Sequence, residues 1–122
     1  FPTVIPTATQ TYDYIMIGHE QVCDIELKTA PLIQVQVVDA YGDPLQGVQV
    51  SITWNNGRDR FSTGLKPDID AGYGDFTMEP GQVYSVQVGN RTLPLQGVIS
   101  KSCASSDGSY SGSVLVRWQR EG

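Results

Sequence analysis

Hydrophobic and polar residues alternate most cleanly between Leu32 and Trp54, in the run LIQVQVVDAYGDPLQGVQVSITW. Ile33, Val35 and Val37 alternate with Gln34 and Gln36, and Val48, Val50, Ile52 and Trp54 alternate with Gln49, Ser51 and Thr53. A period of two sends successive side chains to opposite faces of a sheet, so each run predicts a strand with one buried face. Tyr41 to Gly47 lies between them. Pro44 fixes φ and removes a donor, and Gly42 and Gly47 permit either sign of φ, so the stretch predicts strand, tight turn, strand: a central hairpin.

The same alternation predicts the other strands. Tyr12–Ile17 opens the fold, with Tyr12, Tyr14 and Met16 on one face; Gly18 to Gln21 breaks or bulges the run and Val22-Cys23 resumes it. Asp24 to Pro31 reads as a loop. Asn55 to Asp59 reads as a turn, because Asn-Gly tolerates positive φ, and Arg60–Thr63 returns as a strand with Phe61 inward. Gly64–Gly74 has no period and reads as a long loop. Asp75–Met78 and Gln82–Val88 are strands around a Glu79-Pro80-Gly81 turn, the second with Tyr84, Val86 and Val88 on one face. Gly89–Thr92 turns the chain, and Leu93–Ile99 is an edge segment because Pro94 offers no ladder donor. Ser100–Gly112 reads as a polar loop anchored by Cys103, and Ser113–Trp118 closes the fold with Val114, Val116 and Trp118 on one face. About seven or eight short strands with no helical period predict an all-β, Ig-like Greek-key sandwich.

Composition narrows this picture. A chain of 122 residues suits one domain. Residues 1–11, FPTVIPTATQT, are uncharged and rich in Pro and Thr, so they read as a linker before a single domain at 12–122. No apolar run approaches the ~18–20 residues that span a bilayer, so no membrane insertion is expected. The net charge is −5 and the eight basic residues are scattered, which argues against nucleic acid as a partner. The two cysteines, Cys23 and Cys103, predict a disulfide and hence an extracellular or cell-surface location. Such a bridge would close a loop of roughly 80 residues and stabilise by about 4 kcal/mol on the chain-entropy model. The alternative is a pair of free buried thiols.

Asp39-x-x-Gly42-x-Pro44-Leu45-x-Gly47-Val48 before a strand resembles the opening of the carboxypeptidase regulatory-like, or prealbumin-like, β-sandwich domains. Gly74-Asp75-Phe76, Glu79-Pro80-Gly81 and Tyr84-Ser85-Val86-Gln87-Val88 continue the resemblance in the family's order, so it covers Ile33 to Val88. It implies a seven-stranded Greek-key sandwich acting as a non-catalytic structural or adhesive module of a larger secreted or surface protein, with other domains or surface proteins as partners. The stretch Thr63–Gly81 with flanking cysteines is also similar to a module repeated in bacterial envelope proteins. The Gly64–Gly74 excursion, the cysteines and the Tyr12–Ile17 segment depart from the family pattern. Some relatives close a Lys–Asn isopeptide bond; here Ile33–Ala40 holds no Lys and Ser113–Trp118 no Asn.

Candidate chemistry is sparse. One histidine, His19, makes neither a triad nor a metal site, and no nucleophile motif is present, so no enzyme and no cofactor are expected. Asp68, Asp70, Asp75 and Glu79 fall close together and form a weak calcium candidate, since calcium takes six to eight oxygens. Their spacing is not that of an EF-hand. Tyr41 and Tyr73, placed in loops beside Asp68 and Asp70, form a candidate sugar contact, and a carbohydrate-binding module is the alternative function. Tyr110 is a further loop aromatic, whereas Trp54 and Trp118 keep phase with core residues. Asn90-Arg91-Thr92 fits the N-glycosylation sequon.

Overall fold

The computed structural model describes residues 12–106 and 108–121; the predicted linker at 1–11 lies outside them. The chain forms β1 (Tyr14–Val22), β2 (Leu32–Val38), β3 (Gln49–Trp54), β4 (Gly57–Ser62) and β5 (Tyr73–Thr77). It continues through β6 (Tyr84–Val88), β7 (Leu95–Val98), β8 (Ser102–Ser105), β9 (Gly108–Ser111) and β10 (Ser113–Arg120). One sheet has the order β1-β10-β2-β5, the other β4-β3-β6-β7, and β8-β9 form a separate ribbon. The fold is an all-β sandwich. Its core is the layer of inward side chains from both sheets, with Ile33, Val35, Val37, Val50, Ile52, Val86, Val88 and Val116 fully buried and Trp118 nearly so.

The central hairpin does not form. β2 and β3 are not paired; they lie in opposite sheets, β2 between β10 and β5 and β3 between β4 and β6. Alternation alone is equally satisfied by two strands side by side and by two strands facing across a core. The connection decides, and it is an arch rather than a turn. Asp39 Oδ1 accepts the amides of Tyr41 at 2.8 Å and Asp43 at 3.0 Å, which curls the chain tightly after β2. These bonds to the ionised form, that from Asp43 foremost, hold its carboxyl below the usual value. Thr63 then fixes the far foot of the arch. Its hydroxyl donates to Leu45 O at 2.6 Å and accepts from Val48 N at 3.0 Å, and the side chain is buried.

Other elements differ in detail. β1 runs on to Val22 through a bulge between Met16 and Gly18, so Gly18 bends the strand without ending it. β3 and β4 do form a hairpin around Asn55-Asn56, with Trp54 opposite Gly57. However, no non-glycine residue among those described has positive φ, and Gly57 is not left-handed either. Gly57 is needed for room: a Cβ there would lie 2.9 Å from Trp54 Cζ2. The Ser100–Gly112 stretch is a hairpin, β8-β9, instead of a loop. Among its described side chains it offers the core only Cys103, and a two-stranded ribbon is marginal in water, so its attachment is covalent. Cys23 and Cys103 are bonded, with Cα atoms 5.7 Å apart. Gln21 Nε2 donates to Lys101 O and Ser102 O beside the bridge, and a Cβ on Gly112 would meet Cys103 Sγ at 2.6 Å.

Two outcomes follow from this framework. Thr63→Val keeps the volume but strands the buried Val48 amide and the part-buried Leu45 carbonyl; a loss of about 2–3 kcal/mol is expected in denaturant unfolding. Reduction of Cys23–Cys103 is expected to lower stability by up to about 4 kcal/mol. In hydrogen exchange it should release the amides of β8 and β9 while those of β2 and β3 stay protected.

Candidate functional site

β1 and β10 pair antiparallel with Tyr14 opposite Arg120, so the chain enters and leaves the sandwich at one end. The connections 39–48, 63–72 and 89–94 lie at that end, by the direction of the strands they join. They carry the sequence candidates Tyr41, Asp68, Asp70 and Asn90. The disulfide, the β8-β9 ribbon and the turns at 55–56 and 78–83 lie at the opposite end.

The predicted sugar contact keeps one of its two rings. Tyr41 is 92% exposed on the arch. Tyr73 is not a loop residue: it opens β5 opposite Gln36 and is 6% exposed. A ring so enclosed offers no face for stacking. The misplacement has a physical source. Tyr73 and Asp75 lie on the outer face of their sheet, and the 63–72 connection folds back beside them. Lys66 Nζ, from that connection, meets both Asp75 carboxylate oxygens at 2.8 and 3.0 Å. The Tyr73 hydroxyl donates to Asp75 Oδ2 at 2.8 Å and accepts from Gln34 Nε2 at 3.1 Å. Burial, followed by the hydrogen bond to Asp75, pushes the Tyr73 phenol up from 10.0 to about 12.

The four acidic candidates are likewise dispersed. Asp75 is taken by Lys66 and Tyr73, and Asp70 Oδ1 accepts the Gly72 amide at 2.7 Å. Asp68 and Glu79 are exposed. Among the described residues, no three His, Cys, Asp or Glu side chains form a group that would hold a metal ion. Asn90 of the sequon is exposed, and Thr92 is buried. His19 lies exposed on β1, and Tyr110 sits on β9 rather than in a loop. Trp118 is core, at 1% exposure. Trp54 is partly buried and joins Phe76 and Tyr84 in a trio with every ring centroid 5.6 Å from the other two. These rings come from both sheets and tie them together at the disulfide end.

An apolar cleft of about 320 Å³ lies between β1 and the segment leading into β7, lined by Tyr14, Met16, Leu93, Leu95 and Trp118 among others, with no carboxylate on its wall. Paired-carboxylate chemistry therefore has no setting there.

The sequence signal that was missed concerns β4. Arg58 and Arg60 alternate with Asp59, so both guanidinium groups share one face with Ser51 and Thr53 of β3. The alternation was visible, but Arg58 read as part of a turn, Arg60 as the first residue of the returning strand, and both as scattered charge.

No protein-family model matches the chain, and no curated protein does. A solved structure, the C-terminal fragment of pilus adhesin SpaC from Lactobacillus rhamnosus GG, is similar at 11% identity with a TM-score of 0.46. That similarity spans 90% of this chain and 59% of the other. It is too distant to carry function.

The Tyr73 network yields a pH dependence. A phenol whose folded pKa exceeds its unfolded one contributes full stability below the unfolded value and loses it through the folded one. Stability should therefore fall as pH rises from about 10 to about 12. Tyr73→Phe is expected to flatten that alkaline slope in unfolding measured across the window.

Proposed function

We propose that this chain is a non-catalytic structural or adhesive module of a larger bacterial surface or secreted protein, related to the carboxypeptidase regulatory-like sandwiches. The supporting observation is the Cys23–Cys103 bridge, which fastens to the sandwich a ribbon with almost no core of its own. A fold that relies on such a bridge suits an oxidising compartment. The meeting of first and last strands at one end supports a role in display. A module so attached would leave the opposite end and the outer face of the β4-β3-β6-β7 sheet for contact with other domains or surface proteins. Asp75, engaged by Lys66 and Tyr73, gives hydrolysis no support.

Cells that make the protein supply the test. Antibody raised against the oxidised domain should label intact cells, and peptide mapping of the native protein without reductant should recover Cys23 linked to Cys103. Labelling that requires permeabilised cells, together with free thiols, would sink the reading.

A further inference from the structure

The outer face of the β4-β3-β6-β7 sheet carries a repeated polar pattern. Register places Arg60 opposite Ser51, and Ser51 opposite Gln87 on its other side. One step along, Arg58 lies opposite Thr53, and Thr53 opposite Ser85. Because alternate residues share a face, these are two rungs on one surface, each running from a guanidinium through a hydroxyl to a further polar side chain. The rungs are about 6.8 Å apart along the strands and neighbouring strands about 4.8 Å apart.

Both arginines are exposed, and among the described residues neither makes an ion pair, whereas Lys66, Arg91 and Arg117 each pair with a carboxylate. Two unpaired guanidinium groups side by side stand out in a chain of net charge −5. A shallow cleft of about 260 Å³ is lined by Ser51, Thr53, Arg58, Asp59, Arg60 and Gln87. Asp59 lies opposite Ile52, so alternation turns it to the other face, and its Oδ1 accepts the Arg60 amide at 2.8 Å. Gln87 is held in place by donating to Thr92 O at 2.8 Å.

We propose that this face binds an anionic polysaccharide, with Arg58 and Arg60 each receiving a carboxylate or sulfate and Ser51, Thr53 and Ser85 meeting sugar hydroxyls. The guanidinium fork matches planar or tetrahedral oxyanions, and its repetition along the strand favours a polymer over a single ion. Neither rung depends on an aromatic ring, so this site is distinct from the loop contact at Tyr41. Nor does it depend on the location proposed above.

The oxidised domain would be titrated with polygalacturonate, dextran sulfate, neutral dextran and a single-stranded oligodeoxynucleotide at several salt concentrations. Binding of one or both anionic polysaccharides, but not of neutral dextran, is expected, weakening as salt rises. The first two polymers separate carboxylate from sulfate recognition. Arg58→Gln/Arg60→Gln should lower affinity at least tenfold, Asp59→Asn should raise it, and Lys28→Ala, an equal loss of charge per site on the connection into β2 of the other sheet, should leave it unchanged. Circular dichroism checks that each variant is folded. Absence of binding to both polyanions would overturn the proposal. So would equal binding of the oligonucleotide, or a loss in Lys28→Ala as large as in the arginine variant.

Discussion

Everything in this fold depends on the chain changing sheets between β2 and β3. Had those strands paired, their apolar faces would have lain on one surface with nothing opposite. By arching, the chain sets Ile33, Val35 and Val37 in one sheet and Val48, Val50 and Ile52 on the other side of a common core. The arch is held by hydrogen bonds more than by apolar contact. Asp39 gathers the amides that follow β2, and Leu45 N returns to Val37 O at 2.9 Å. Gly47 N donates to Thr63 O at 2.9 Å, so the foot of the arch is tied to the end of β4. Gly72 lies against this structure: its position leaves no space for a Cβ beside the Val37 carbonyl. The two long connections at this end therefore stabilise each other, and neither is free to act as an independent loop.

The sandwich class and most of the buried positions were legible because period two is a local signal. The burial of Ile33, Val35, Val37, Val50, Ile52, Val86, Val88, Val116 and Trp118 follows it directly. What was not legible is which strands meet. Alternation is blind to pairing, so β2-β3 looked like a hairpin and the parallel partnership of β10 with β2 had no local trace. Ser102–Ser111 escaped for the opposite reason. Its strands lack an apolar face, and they are ordered by a bond to Cys23, eighty residues distant in sequence. Gly57 shows a correct turn resting on a different cause: space for an indole replaced left-handed backbone as the requirement.

The candidate site was less legible than the fold. Tyr73 looked exposed because Gly64–Gly74 has no period, yet a connection without period can still fold over a sheet face. A polar contact such as Lys66–Asp75 is set by three-dimensional closeness, to which sequence spacing is a poor guide. Acidic residues near one another in sequence were thereby engaged separately: Asp70 with a backbone amide, and Asp75 with a lysine and a phenol. Carboxylates that are already acting as local caps have less capacity left for a shared cation.

The charge distribution also follows from this division of labour. Acidic side chains serve turns, where Asp accepts amides at little steric cost. Asp39 and Asp70 do so at the end where the arch and the 63–72 connection lie, and Asp24 does so before β2 at the other end. Outward strand positions in the second sheet carry no turn, so no acid is needed there. On β3, β4 and β6 they hold Gln49, Ser51, Thr53, Arg58, Arg60, Ser62, Ser85 and Gln87. Two guanidinium groups thus stand on a face whose outward strand positions hold no carboxylate, with Asp59 alongside them in the cleft, inside a molecule that is acidic as a whole. A polyanion at the site proposed above would meet these two guanidinium groups rather than the carboxylates of the arch, so the placement of acids in turns bears on where such a ligand would bind.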